Sequence, residues 1–307
     1  MAREIKNVAI LGATRNVGAA TLKAVLATGK FTVTAIVRPG SPHKFPSDVQ
    51  TKEADLSSVD SLVAAFRGQD AVVNTTNIPD PATNIRVADA ARAAGVYRFI
   101  PADFGQDPAT CHGPDFPVFA FKAATLKHLK EITSKKEGGG DEMTWTVVIN
   151  GPFLDWNMAI GFLGIDVPKK RVEVISGGDT PVYYTTLEGV GQATAGVLLH
   201  PAETANRPVF INSVVKTQNQ LVALAQEALG SERWTVTHED NKEKFAWAVA
   251  EMNKGNFDYP VIMHQIRRVV ADPEVAKQPA RYDNELLGVK SMSDEEVKEM
   301  MKKIAAQ

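Results

Sequence analysis

Asn7-Val-Ala-Ile-Leu-Gly-Ala-Thr-Arg-Asn-Val-Gly18 is the stretch that decides the fold. Asn7-Val-Ala-Ile-Leu11 reads as a buried strand, and a helix begins near Val17 and runs to Gly29. A glycine-rich turn between such a strand and helix lets backbone approach a pyrophosphate. The helix N-terminus adds unbonded N–H groups and the positive end of its dipole. Gly12 and Gly18 hold the outer positions of the dinucleotide fingerprint, and Arg15 fills the middle one.

The next strand, Phe31-Thr-Val-Thr-Ala-Ile-Val37, ends in Arg38, 20 residues after Gly18. An NAD site places an acid near this point to hold the ribose 2′-hydroxyl, whereas a basic residue suits the 2′-phosphate of NADP. Arg15 can reach the same phosphate from inside the loop, and Lys44 is a third candidate contact. The expected cofactor is therefore NADP(H).

Strand and helix continue to alternate. Val49-Gln-Thr-Lys-Glu53 precedes a helix opened by Ser57-Ser58, with Val59, Leu62, Val63 and Phe66 on one face. Ala71-Val-Val-Asn74 leads into a polar turn, a helix follows over 82–94, and Tyr97-Arg-Phe-Ile-Pro101 reads as another buried strand. A helix over 119–134 runs into a surface loop, Lys135-Lys-Glu-Gly-Gly-Gly140, before the strand Thr144-Trp-Thr-Val-Val-Ile-Asn150. Such βα units imply an α/β fold, a Rossmann-type doubly wound parallel sheet with ligands at the C-terminal strand ends. The second half is less regular. Short strands at 171–175 and 181–185 flank the turn Gly177-Gly-Asp, and helices are expected at 187–199, 217–229, 241–254 and 259–271. Ser293-Asp-Glu-Glu opens a capped final helix. The expected division is an NADP-binding domain over 1–150 and a smaller, mainly substrate-binding domain over 151–307, with 208–212 returning to the main sheet.

A formal charge of −2 over 307 residues, with basic residues scattered, argues against a nucleic-acid partner. One cysteine, Cys111, permits no internal disulfide, which suits a reducing compartment. No signal peptide precedes the first strand and no apolar run has membrane length, so the expected location is the cytoplasm without membrane attachment. No spacing suggests a metal site or a nucleophile elbow.

Several motifs stand in order: Gly12-Ala-Thr-x-x-x-Gly18, Val37-Arg38, Arg98-Phe-Ile-Pro-Ala-Asp-Phe-Gly105, Lys122 on a helix, Asn150-Gly-Pro-Phe153 and Tyr282-Asp-Asn-Glu-Leu-Leu-Gly288. Together they resemble the isoflavone reductase-like branch of the atypical short-chain dehydrogenases, close to the NmrA-like proteins. The resemblance spans nearly the whole chain and is weakest over 215–280. It implies a Rossmann domain with a smaller substrate domain, and reduction of phenolic metabolites by NADPH. It further implies that Gly12, Thr14, Arg15, Asn16, Val17 and Gly18 line the pyrophosphate and that Arg38 meets the 2′-phosphate. Thr75 and Thr76 would border the nicotinamide ribose. Asn150 and Phe153 would belong to the cofactor site, Phe153 against the nicotinamide ring. Lys122 matches the catalytic lysine of the family. Arg15 stands where the family usually has glycine, and Asp103 where it often has glutamate.

Hydride chemistry belongs to the cofactor, so the chain must orient the acceptor and manage charge on its oxygen. The Tyr-x-x-x-Lys dyad of ordinary short-chain dehydrogenases is absent, since Val118 stands four before Lys122. A lysine in a partly apolar cleft can serve instead as proton donor or charge stabiliser. Trp156, Met158, Phe162, Tyr259, Met263 and His264 are candidates for an apolar substrate wall, and equally suit plain core packing or a homodimer contact. His43 and His112 carry no readable signal. The leading expectation is an NADPH-dependent reductase of a small, largely apolar carbonyl, enone or quinone-methide-like substrate. The alternatives are a non-catalytic NADP(H) sensor with a protein partner, or a cyclase or isomerase on the same fold.

Overall fold

The apolar runs of the first half become strands because their alternate side chains enter two different helical layers. The computed structural model describes residues 3–134 and 143–307. The loop expected at 135–140 lies outside the described residues. In chain order the strands are β1 (Asn7–Leu11), β2 (Thr32–Val37), β3 (Val49–Glu53), β4 (Ala71–Asn74), β5 (Arg98–Ile100) and β6 (Thr144–Ile149). The second half adds β7 (Ile165–Asp166), β8 (Arg171–Ile175), β9 (Val182–Tyr184), β10 (Arg207–Phe210), β11 (Val214–Lys216) and β12 (Thr235–Glu239). Seven of them form one sheet in the order β10-β6-β5-β4-β1-β2-β3, every pair parallel. All seven C-terminal ends therefore lie on one edge.

The helices are α1 (Asn16–Ala27), α2 (Val59–Phe66), α3 (Pro81–Ala93), α4 (Pro108–Cys111), α5 (Ala120–Ser134) and α6 (Leu154–Ile160). They continue with α7 (Leu187–Leu199), α8 (Gln218–Leu229), α9 (Asn241–Asn253), α10 (Tyr259–Ala271), α11 (Asn284–Leu287) and α12 (Asp294–Ala305). Val8, Ile10, Val33, Ala35 and Val73 pack under α1 and α7. Their strand neighbours Ala9, Leu11, Ile36, Val72 and Phe99 pack under α2, α3 and α5. Each buried Val, Ile or Leu contributes about 1.5–3 kcal/mol before chain entropy is counted. Val59, the first residue of α2, does not share its buried face: it is 45 % exposed, while Leu62, Ala65 and Phe66 are buried.

Arg98 explains much of the Arg-Phe-Ile-Pro motif. It is fully buried, and its guanidinium donates to Thr144 Oγ1 at 2.9 Å, to Thr146 and Thr204 Oγ1 at 2.8 Å, and to the Pro201 carbonyl. Burial lowers its pKa to about 10. It is a pin joining β5, β6 and the segment after α7.

The second half has its own core of Leu154, Met158, Phe162, Val182, Tyr184, Leu221, Val297 and Met301. The strands flanking Gly177 do not pair with each other. β8 lies between β7 and β12, while β9 pairs with β11. The final helix carries the expected capping box, Ser293 with Glu296. No helix of the described residues is long and apolar enough to cross a membrane.

Candidate active site

β1 is flanked by β4 on one side and β2 on the other, so the crevice of the switch point opens at its C-terminal end. The glycine loop occupies that crevice. Gly12 has φ +81°, and a Cβ on Gly18 would stand 2.0 Å from the Gly12 carbonyl oxygen and 2.7 Å from Thr75 Oγ1. Thr75 is itself fixed, its hydroxyl donating to the Leu11 carbonyl at 2.6 Å and its N–H to the same oxygen at 3.0 Å. The loop thus lies flat on the end of β4, and only glycine at 18 permits it.

Arg15 precedes α1 with no side-chain cap, and Asn16 takes φ +40°, a conformation asparagine tolerates. Among the described residues, the N–H groups of Arg15, Asn16 and Val17 have no protein acceptor. Unclaimed donors at a helix N-terminus beside a close-packed glycine turn fit a dinucleotide pyrophosphate. Thr14, Arg15 and Asn16 are exposed beside them. The Val17 side chain is a core residue, 8 % exposed under the sheet, so only its N–H faces the phosphate position. Arg38 and Lys44 are exposed and unpaired among the described residues, and the nearest acid in register, Glu53 opposite Val37, is engaged by the Gly40 N–H at 3.1 Å. Thr76 donates its hydroxyl to Asn74 Oδ1 at 2.7 Å, which keeps the exit of β4 ordered.

Lys122 is in the first turn of α5, on the same sheet edge. Its Nζ lies 3.4 Å from Asp103 Oδ1 and 3.5 Å from the Phe104 carbonyl, and 5.9 Å from the Phe119 ring centroid. Only 15 % of its side chain is exposed. Asp103 follows β5 and is 3 % exposed. Burial pushes its carboxyl up, but Lys122 and His112 outweigh burial and hold it below the usual carboxylate range. A small recess lined by Asn84, Pro101, Asp103, Phe121, Lys122 and Thr125 opens here. His112 reaches the other oxygen of Asp103, with Nε2 at 3.5 Å from Oδ2. Sequence reading found Lys122 and missed His112. The spacing from Asp103 to His112 to Lys122 follows no helical or strand period, and only the short α4 turn brings them together.

Two cofactor-side residues divide. Phe153 is partly buried against the core cluster that contains Ala13 and Val17. Asn150 is corrected to a structural role: it is fully buried, its N–H donates to the Gly105 carbonyl at 3.1 Å and its amide is turned to Gly151. It holds the end of β6 beneath the site. The expected substrate wall also divides. Met158 is 3 % exposed and is a core side chain. Phe162 is 7 % exposed and sits between the Trp156 and Tyr259 rings, each at 5.6 Å. His264 is engaged by Glu239 at 3.3 Å and by the edge of Trp247, which gives it the structural place that was its other reading. Met263 is partly buried against the second core, Trp156 is half-buried, and Tyr259 is 51 % exposed.

The profile of a family described as NAD(P)H-binding matches residues 12–162. The oxidoreductase aprR of Aspergillus flavus is 32 % identical to this chain over 84 % of its length and 86 % of its own. This chain belongs to the NmrA-like, isoflavone reductase-like family of NAD(P)H-dependent oxidoreductases. Phenylcoumaran benzylic ether reductase Betv6 of Betula pendula is a more distant member, 27 % identical over 66 % of this chain and 71 % of its own. Leucoanthocyanidin reductase of Vitis vinifera, in a binary complex with NADPH, shares the fold with a TM-score of 0.77 at 14 % identity. That alignment covers 98 % of this chain and all of the other.

Proposed function

We propose that this chain is an NADPH-dependent reductase of a small, largely apolar acceptor, an aromatic or phenolic carbonyl, enone or quinone methide. The observation that carries the reading is Lys122, an ammonium with 15 % of its side chain exposed, at the sheet edge where the glycine loop lies. A regulatory protein that only senses dinucleotide has no need of a lysine in a recess. The name of the Betula relative, a benzylic ether reductase, supports an aromatic acceptor.

The bound nicotinamide supplies the hydride. Lys122 Nζ donates a proton to the oxygen on which negative charge develops, and Asp103 keeps the ammonium aimed. The Phe119 ring and the burial of most of the lysine side chain limit water around Nζ, which strengthens its interaction with that charge. Arg38, Arg15 and Lys44 select NADPH by charge-assisted bonds to the 2′-phosphate. The test is NADPH consumption against a panel of phenolic enones, aromatic ketones and quinones. Turnover of at least one class is expected. A panel without turnover, together with a protein partner whose affinity changes on adding NADPH, would establish the sensor instead.

A further inference from the structure

Asp103 is held in an unusual way for a buried carboxylate. Oδ1 faces Lys122 Nζ at 3.4 Å and Oδ2 faces His112 Nε2 at 3.5 Å, yet neither contact has hydrogen-bond geometry. Both oxygens, and His112 Nε2, lack a hydrogen-bond partner among the described residues. Buried charges ordinarily collect hydrogen bonds, since leaving them unmet is costly. This arrangement is poor for stability and well suited to moving a proton.

The backbone builds it deliberately. The Asp103 N–H returns to the Pro101 carbonyl at 2.7 Å, which turns the chain inward after β5. Asp107 and Pro108 start α4, whose single turn closes with the His112 N–H on the Pro108 carbonyl at 3.0 Å and folds the imidazole back over Asp103. Gly105 makes room opposite, since a Cβ there would lie 3.3 Å from Lys122 Nζ.

We propose that Asp103 is the positioning residue of Lys122, and that His112 on its second oxygen recharges the lysine after each proton donation. This rests on the reading of Lys122 as the donor. The proton count closes. Donation leaves Lys122 as a neutral amine beside the carboxylate. The imidazolium of His112 passes its Nε2 proton to Asp103 Oδ2. Rotation of the carboxyl, which breaks no hydrogen bond, carries that proton to Lys122 Nζ. The vacated Nε2 is buried against Asp103, so the imidazole swings out on the α4 turn to take a proton from solvent. Beside His112 in the chain stand Asp107 on its own turn and Cys111, and Tyr183 of β9 faces both of these. Burial pushes the Cys111 thiol up to about 12 and raises Tyr183 as well, so both stay neutral. From α10 the packing residues of this cluster are the apolar Ile266 and Val269, and Arg268 is paired with Asp272 and Glu274.

The test begins without substrate. The imidazole of His112 is titrated by NMR in the free protein, its signal assigned among the six histidines by its loss in His112→Gln. A neighbouring charge moves a pKa by roughly one unit or more. Asp103→Asn is expected to lower the His112 midpoint by at least ~1 unit, and Lys122→Met to raise it by at least ~0.5 unit. A midpoint unmoved within ~0.2 unit in Lys122→Met overturns the coupling, whether or not Asp103→Asn folds. The second arm uses the acceptor found on the panel. His112→Gln is expected to lower kcat about tenfold and flatten its pH profile, with KM and NADPH affinity unchanged. Wild-type kcat and pH profile in His112→Gln overturn the recharging role while leaving Lys122 as donor. A chain that reduces nothing on the panel fails the reductase reading and leaves the titration result standing.

Discussion

Alanine at position 18 is the smallest perturbation with a large expected effect. Its methyl carbon would stand 2.0 Å from the Gly12 oxygen and 2.7 Å from Thr75 Oγ1, where unstrained contacts need about 3.5 Å. One obstacle is backbone, and the other is a hydroxyl tied to Leu11 at 2.6 Å, so neither yields. The first turn of α1 must therefore retreat by at least about 1 Å, which overpacking data put at about 1–3 kcal/mol of stability. The unclaimed N–H groups of Arg15, Asn16 and Val17 retreat with it. Each charge-assisted bond they make to a phosphate contributes about 1.5–3 kcal/mol, so losing one or two weakens NADPH by roughly 100-fold. Calorimetry gives the affinity and thermal unfolding the stability. Gly29→Ala is the control: φ is +64° and nothing lies within 4 Å of the added carbon. It should lose about 1–2 kcal/mol from left-handed strain and keep its NADPH affinity. Normal NADPH binding by Gly18→Ala would refute the reasoning.

Arg38→Ala should bring the NADPH and NADH dissociation constants within a few-fold of each other, where the wild type separates them by at least ~10-fold; equal wild-type affinities by calorimetry would sink the 2′-phosphate assignment. Arg98→Met takes the donor from the Pro201 carbonyl and one bond from each of the Thr144, Thr146 and Thr204 hydroxyls, which keep their own bonds to carbonyls; urea unfolding should show a loss of about 1–3 kcal/mol, and a loss below ~0.5 kcal/mol contradicts the pin. Burial raises the Glu239 carboxyl, but His264 and Arg267 outweigh it and hold the folded-state value below the usual range. Its stabilisation is therefore fully present above ~4.3 and lost as pH falls through the lower folded value. Glu239→Gln should flatten that acid limb in thermal melts, and an unchanged limb counts against the ion pair.

The first half was legible because its signals are local. The loop from Gly12 to Gly18 joins strand to helix within one short segment, and the strands buried on both faces show as apolar runs. Lys122 was legible through its motif. Asp103 was visible as an acid but not as the buried partner of the lysine, because its depth depends on β5 and β6 closing over it. His112 left no trace, since a one-turn helix sets its direction. In the second half, β12 was missed because four of its five residues are exposed, leaving no burial pattern, and its partner β8 lies about 60 residues away. For Met158 and His264 the sequence leaves wall and core open, because a core methionine and a paired histidine look the same in sequence as a lining one. Asn150 stood in a cofactor motif, yet its buried backbone bonds serve the sheet end.

The central claim is that Lys122 gives the proton. Its direct measure is kcat on the best panel acceptor for wild type, Lys122→Ala and Lys122→Arg, with NADPH affinity recorded for each. General acid help of this kind contributes ~10²–10⁴-fold, so Lys122→Ala should lose that factor while staying folded and holding NADPH within a few-fold. Lys122→Arg should not restore it, because a guanidinium does not release its proton near neutral pH. Lys122→Ala turning over at the wild-type rate would contradict the claim and leave another group, or solvent, as the proton source.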